Sequence, residues 1–342
     1  MSQVQLRVNG RGNAWPVLLG LGHPFYNQNN YMDLANASCS LVKTNTNTLT
    51  GIEWELLIDA GHGIVQYLLK NHNRIPEAVL LTHPHIDHFL GIDWIVQSYY
   101  KVFHKPYPVY ATCLTWKKIL KALPHLEMLV DFQELIPYSP ATVKEIPSVQ
   151  VTAYPVYHGQ NAEGAAMFLL ETKNKKILLT GDLLCPLLRE EDFRILNRID
   201  LLVTDANNRY PYPESNHWSI VAGNNDLKAS RLQEFIEHHS IGLLLTPHLK
   251  PDAPESYVSC FDYFLEKSFS LDHFIFDNLS FIRRIQPKKV TFLHYSGAED
   301  EKYYQQSLLN PSALKSWIEK QMNYRSLAPV VIIPFVGQCI DF

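Results

Sequence analysis

A dense cluster of potential metal ligands follows an apolar segment in the first third of the chain. The run Thr82-His83-Pro84-His85-Ile86-Asp87-His88 carries four such side chains within six residues. Neutral imidazole nitrogens and carboxylates are the ligands that zinc and similar divalent ions prefer. Because the preceding segment is typical of a buried strand, a polar cluster at its end needs partners that offset desolvation. A divalent ion would be such a partner.

Further potential ligands stand at the ends of other predicted strands. These are His158, Asp182 and His294. His248, in the run Thr246-Pro247-His248, also follows an apolar segment and competes with His294 for the same role. One turn cannot supply two ions with ligands, whereas the turn and three strand ends together can.

The segments that must position these side chains are short apolar strands alternating with helices. Glu55 to Asp59 and Ala78 to Thr82 are predicted strands, and the spacing of Ile92, Ile95 and Tyr99 is typical of a helix. Such alternation predicts a layered α/β fold. With no low-complexity linker, residues 1–342 are expected to form a single domain. An aromatic-rich stretch at about residues 224–283 is expected to be an insertion within it, packed as core or covering a cleft.

Composition narrows the classes of partner. The formal net charge is −4 over 342 residues. Proteins that bind extended nucleic acid usually carry a basic surface, so the charge favours a small or compact substrate over extended nucleic acid. Five widely spaced cysteines without a CxxC motif predict thiols in a reducing compartment. No signal-peptide pattern and no apolar stretch of about 20 residues is present, so we expect a cytoplasmic protein without a membrane partner. A homodimer is compatible with the sequence.

The cluster resembles a known family signature. His83-Pro84-His85-Ile86-Asp87-His88 matches the HxHxDH motif of the metallo-β-lactamase superfamily. Leu57-Ile58-Asp59-Ala60-Gly61 and Leu179-Thr180-Gly181-Asp182 resemble two further motifs of that family. The resemblance covers most of the chain. It implies a four-layer αββα sandwich with a metal site at one edge of two sheets.

The resemblance also implies a role for each ligand. One ion would be held by His83, His85 and His158. The second would be held by Asp87, His88 and His294. Asp182 would bridge the two, and Asp59 would orient a ligand or the turn from behind. His294 is preferred over His248 because Leu293-His294-Tyr295-Ser296 is similar to the family motif. The implied cofactor is two divalent ions, zinc first, with manganese or iron as alternatives.

One branch of the superfamily is most similar. Between the bridging aspartate and the last ligand, Asn216-His217-Trp218-Ser219 resembles the phosphodiesterase branch, which includes ribonuclease Z and the cyclic-phosphate phosphodiesterase of phosphonate breakdown. That branch carries an additional histidine, whose place His217 takes here. Asp205 is expected to hydrogen-bond it. The cysteine-rich zinc site of the phosphonate enzyme and a recognisable RNA-binding arm are both missing from the sequence.

The implied reaction is hydrolysis of a phosphodiester in a small or compact substrate by a hydroxide that bridges the metals. Asp87, Asp182 and His217 are the predicted catalytic residues, with His217 as general acid or phosphate contact. Three alternatives stay open: a lactone or thioester hydrolase, a di-iron oxidoreductase, and an accessory or binding protein without turnover. Redox members of the superfamily tend to carry glutamate at the position of His85, which favours hydrolysis.

Overall fold

The computed structural model describes residues 3–48, 50–223 and 275–342. The strands in these ranges are β1 (Val4–Gly10), β2 (Ser38–Thr44), β3 (Ile52–Ile58), β4 (Ala78–Leu80), β5 (Tyr107–Ala111), β6 (Val130–Glu134), β7 (Pro140–Thr142), β8 (Gln150–Tyr157), β9 (Ala166–Thr172), β10 (Lys175–Leu179), β11 (Cys185–Pro186), β12 (Leu201–Asp205), β13 (Lys289–Leu293), β14 (Val330–Ile332) and β15 (Cys339–Ile340).

Helices connect and cover these strands. The α-helices are α1 (Ile64–Lys70), α2 (Ile86–Phe89), α3 (Ile92–Phe103), α4 (Cys113–Ala122), α5 (Glu190–Leu196), α6 (Asn278–Ile285), α7 (Ala298–Tyr304) and α8 (Pro311–Asn323). Short 3-10 helices span Tyr31–Leu34, Pro124–Leu126 and Gln160–Ala162. Among the helices in the described ranges, none is long and apolar enough to cross a membrane.

The strands form two mixed sheets. The first has the order β15-β1-β2-β3-β4-β5-β6, with antiparallel pairing from β15 to β3 and parallel pairing from β3 to β6. The second has the order β11-β8-β9-β10-β12-β13-β14, and β7 pairs with β8. Its strands from β10 to β14 are parallel. In each sheet, the parallel part brings the carboxyl ends of several strands to one edge.

The two sheets pack face to face. One buried cluster contains Leu41 and Leu80 of the first sheet together with Phe168 and Leu170 of the second. The outer face of the first sheet packs on α1, α3 and α4, and that of the second packs on α5, α6 and α8. This arrangement is a four-layer αββα sandwich, and it confirms the fold class predicted from the sequence.

The last three residues of β3, Leu56 to Ile58, form a continuous apolar run. Leu56 and Ile58 point into the cluster between the sheets, whereas Leu57 points into the cluster beneath the helices. Side chains alternate between faces along a strand, and here helices cover the outer face. Where both faces are buried, as at this end of β3, successive residues are therefore apolar.

The predicted insertion falls largely outside the described residues. Residues 224–274, which include His248, lie there, so the aromatic-rich stretch remains a prediction over that range. Its described end enters α6, where Phe281 and Ile282 are buried in the core of the second sheet. The single-domain organisation likewise remains a prediction.

Candidate metal centre

The candidate ligands stand at the carboxyl ends of four strands. The run from His83 to His88 leads from β4 into α2. His158, Asp182 and His294 follow β8, β10 and β13. The carboxyl ends of parallel strands meet at one edge of a sheet, and here the edges of both sheets meet. Side chains far apart in the chain are thereby brought together.

Seven side chains form two adjoining groups. In each group the potential ligand atoms lie within 4.8 Å of one another. The first group is His83, His85 and His158. The second group is Asp87, His88, Asp182 and His294. The sequence predicted the same seven residues, and the structure brings all of them to one place. Their assignment as ligands remains a prediction.

Asp182 lies between the two groups. Its Oδ2 atom is 3.2 Å from the Nε2 atoms of both His88 and His294 in the second group. The same oxygen is 3.7 Å from Nε2 of His83 and 3.9 Å from Nε2 of His158 in the first group. A carboxylate in this position can reach an ion held by either group.

Three imidazole nitrogens in the cluster are buried without a hydrogen-bond partner. They are the Nε2 atoms of His83, His88 and His294. A buried polar atom left unsatisfied costs about 1–3 kcal/mol, so such atoms are uncommon. Three of them converging beside carboxylates are the donor set that suits a divalent ion. The residues present therefore fit the metals that the sequence implied.

Burial keeps part of the cluster ready to bind a cation. Desolvation is the largest cause that lowers the pKa of His83 and of His158 well below the ordinary value. Both rings are therefore neutral near pH 7, the form in which imidazole binds a metal.

In the second group, neighbouring charges outweigh the effect of burial on the pKa values. Burial alone would raise the pKa of Asp182, but the charges of His294 and His88 outweigh it and hold that pKa well below its ordinary value. Burial opposes a charge on His88, yet the carboxylates of Asp182, Asp87 and Asp59 raise its pKa well above the ordinary value. The carboxylates of the second group thus favour a positive charge at this position, which is also what a divalent cation would supply.

Asp59 fixes the orientation of the ligand run from behind. It accepts hydrogen bonds from the backbone N–H and the hydroxyl of Thr82, at 2.8 and 2.7 Å, and from Nδ1 of His88 at 2.8 Å. Because a carboxylate only accepts, His88 carries its proton on Nδ1 and presents Nε2 to the centre. His158 donates in the same way from Nδ1 to the carbonyl oxygen of Asn216 at 2.7 Å.

Backbone geometry shows how tightly these turns are built. Asp59 and His294 both adopt positive φ angles, 58° and 64°, a conformation uncommon for residues other than glycine. A Cβ atom at Gly61 would lie 1.6 Å from the carbonyl oxygen of Asp87. Only glycine therefore lets the turn after β3 pack against α2.

His217 lies beside the seven-residue cluster. Its ring stacks on His294, with centroids 5.0 Å apart, and meets the ring of His158 edge-on at 4.8 Å. Nδ1 of His217 donates to Asp205 Oδ2 at 2.7 Å, the contact expected from the sequence. Burial lowers its pKa, but the charge and hydrogen bond of Asp205 outweigh burial and raise the pKa to about 9.

His217 also belongs to a third group of potential ligand atoms, with Asp182, Asp205 and His294. Its Nδ1 is nonetheless 3.9 Å from Asp182, much farther than from Asp205. While Nδ1 is bound to Asp205, only Nε2 is available to another group. Nε2 is therefore the ring atom through which His217 can contact a metal ion or a substrate.

Two asparagines that contact Asp205 were not singled out from the sequence. Asn278, at the start of α6, donates to the carbonyl oxygen of Asp205 at 2.8 Å and accepts from Thr204. The backbone N–H of Asn207 donates to Asp205 Oδ1 at 3.0 Å. The only sequence signal was the polar run Asp205-Ala206-Asn207-Asn208 directly after a buried strand, which marks a strand end near a site.

The sequence family described as the β-lactamase superfamily domain matches residues 55–232, more than half of the chain. The chain therefore belongs to the metallo-β-lactamase superfamily, to which many metal-dependent hydrolases belong. A search of functionally curated proteins gives no significant match.

Solved structures share the fold along the whole chain. A diphosphatase from the PhnP family superposes with a TM-score of 0.60 at 14% identity, covering 99% of this chain and 98% of that one. Human tRNase Z, short form, gives 0.54 at 14% identity and covers 100% and 99%. Zn²⁺-bound PqqB from Methylobacterium extorquens gives 0.55 at 12% identity and covers 99% and 100%. At these identities the likeness is one of fold.

Proposed function

We propose that this chain is a two-metal hydrolase that cleaves a phosphodiester in a compact substrate. The observation that carries the proposal is the Asp205–His217 pair beside the seven-residue cluster. A site that only bound metal would not need His217, an additional imidazole that Asp205 holds in place. A phosphodiesterase needs such a group because its leaving alkoxide requires a proton or a positive contact.

The two groups of ligands would hold one ion each, and Asp182 would serve both. Divalent ions bound there would lower the pKa of water to supply a nucleophile and would neutralise negative charge on the substrate. Zinc is the first candidate because imidazole and carboxylate suit it, and the structurally similar PqqB was described with Zn²⁺. Manganese and iron remain to be compared with it.

His217 would act on the substrate through Nε2. Asp205 holds the Nδ1 proton, so the ring keeps one orientation and its cationic form is stabilised. A protonated His217 can hydrogen-bond a phosphoryl oxygen and then donate its proton to the departing oxygen. Because the pair is almost fully buried, little water competes for that proton.

The structural relatives support a phosphate ester as substrate. A diphosphatase and a tRNase are both named for the cleavage of phosphate bonds. The net charge of −4 speaks for a compact substrate rather than extended nucleic acid.

Turnover of chromogenic esters by the reconstituted protein tests the proposal. Protein loaded with zinc, and separately with manganese, should hydrolyse bis(p-nitrophenyl) phosphate, and the same preparations should leave a lactone and a thioester nearly untouched. His217→Asn is the matched variant, because it retains a donor to Asp205 but cannot protonate a leaving group, so it should slow hydrolysis of an alkyl diester far more than that of bis(p-nitrophenyl) phosphate. Preferred hydrolysis of the lactone or thioester would replace the phosphodiester by a carbon-centred substrate.

A further inference from the structure

A charge-free surface loop carries four exposed apolar side chains. Residues 12–32 contain no aspartate, glutamate, lysine or arginine. Within them, residues 15–21, named here the apolar loop, expose Trp15 by 73%, Leu18 by 52%, Leu19 by 102% and Leu21 by 62%. Exposed apolar residues are ordinarily scattered singly, and a group of them marks a surface that meets something apolar.

The apolar loop is fastened next to the candidate metal centre. On its N-terminal side, Gly12 pairs with Tyr295. On its C-terminal side, Nε2 of His23 lies 2.8 Å from the carbonyl oxygen of Ser296, and the hydroxyl of Tyr26 donates to the carbonyl oxygen of Tyr295. Tyr295 and Ser296 directly follow His294. The loop therefore projects from the side of the site that bears His294.

The remainder of the stretch is polar but uncharged. Arg11 and Asp33, the charged residues that bound this stretch, are buried and paired, with Arg11 Nε and Nη2 donating to the two carboxylate oxygens at 2.9 and 3.0 Å. Between the loop and Asp33, residues 27–30 present exposed amides and Tyr31 is half exposed. Transfer of this surface into an apolar phase would desolvate none of the charged side chains of the stretch.

The shape of the loop favours a lipid surface as the occupant. Leu19 is fully exposed, so it encloses nothing and cannot form the wall of a small-molecule pocket. Exposed leucines together with an exposed tryptophan, a half-exposed tyrosine and uncharged amides are the composition of segments that insert into one face of a lipid layer. The absence of lysine and arginine removes any need for anionic lipid.

We propose that the apolar loop inserts into zwitterionic lipid surfaces and thereby presents the metal centre to a phosphodiester carried by a lipid. The substrate part rests on the proposed function, whereas the docking part does not. The lack of a spanning helix predicted no membrane partner, but a loop can bind a lipid layer from one side without crossing it.

Flotation with phosphatidylcholine vesicles tests the docking. Wild-type protein should float with the vesicles equally at low and high salt, and its tryptophan emission should shift to the blue by a component that Trp15→Phe removes. The triple variant Leu18→Ser, Leu19→Ser, Leu21→Ser should partition less, by about tenfold for each leucine that inserts. Met128→Ser is the matched control, because Met128 is 83% exposed and precedes β6, the edge strand opposite β15. It should float like wild type.

A phosphatidic acid p-nitrophenyl ester in the same vesicles tests the substrate. Hydrolysis breaks the P–O bond to p-nitrophenolate, forms a P–O bond to the oxygen of water and releases a proton. The triple variant should lose this activity in proportion to its partitioning and should still hydrolyse bis(p-nitrophenyl) phosphate at the wild-type rate.

Three results would overturn the docking: no flotation of wild type, equal flotation of the triple variant, or a wild-type dimer that the triple variant converts to monomers without any vesicle binding. The last result would assign the loop to self-association. If the protein floats and cleaves the water-soluble diester but not the lipid ester, the proposal of a lipid-borne substrate is wrong. Flotation of a protein inactive on both esters would refute the proposed function and leave the docking standing.

Discussion

Replacement of His217 separates a role in catalysis from a role in metal binding. Nδ1 of His217 is 2.7 Å from Asp205 and 3.9 Å from Asp182, and the ring lies outside the two groups that complete the candidate centre. We therefore expect His217→Asn to keep about two ions per chain. Turnover of a diester with an alkoxide leaving group should fall by about 10²–10⁴, the usual contribution of a general acid.

Asparagine is a better replacement for His217 than alanine because the buried carboxylate of Asp205 needs a hydrogen-bond donor. The Asp205 side chain is fully buried, and alanine would leave its carboxylate without the imidazole. Breaking a buried pair in that way costs about 3–5 kcal/mol, which could unfold part of the site and mimic a catalytic defect. The amide of asparagine can still donate to Asp205, so thermal stability measured alongside activity should change little.

The leaving group provides the decisive comparison. p-Nitrophenolate departs without a proton, so His217→Asn should slow bis(p-nitrophenyl) phosphate much less than an alkyl diester. Kinetics on a series of leaving groups, together with metal analysis of each preparation, would measure this difference. Loss of an ion in the variant would make His217 a ligand. If His217→Asn hydrolysed diesters with good and with poor leaving groups at the wild-type rate, His217 would have no part in the reaction.

Three further predictions concern the metals. Metal analysis of protein purified without chelator should give about two divalent ions per chain, and a value near zero after reconstitution would refute the centre. Asp182→Ala should abolish turnover and release at least one ion, whereas retention of both would place the bridge elsewhere. Asp59→Asn should weaken metal affinity by about 10–100-fold, because an amide cannot accept from Thr82 and His88 as the carboxylate does, and excess metal should restore its turnover.

The sequence was informative where a role depends on short spacing. The run from His83 to His88 is local, and its position after an apolar strand places it at a sheet edge without knowledge of the tertiary structure. The alternation of apolar strands and helices predicted a layered α/β fold, whereas the four-layer αββα arrangement was implied by the resemblance to the family. His217 was recognisable because its neighbours resemble a motif.

The supporting contacts were harder to predict because they join residues distant in the chain. Asp59 was expected to orient a ligand, but the sequence could not specify that Thr82 and His88 would both donate to it. Asn278 reaches Asp205 across 73 positions, and nothing in the periodicity of α6 marks that amide. Exposure of residues 15–21 was equally hidden, because an apolar run in a sequence more often predicts core.

The metal centre depends on the packing of one sheet against the other. The run from His83 to His88 belongs to the first sheet, whereas His158, Asp182 and His294 follow strands of the second. The sheets are joined at Thr82, directly before the run: its carbonyl oxygen accepts from the backbone N–H of Ala166 at 2.9 Å. Because neither sheet supplies all seven candidate ligands, ions held by them would bind with full affinity only to the assembled sandwich, and their binding would stabilise the interface between the sheets.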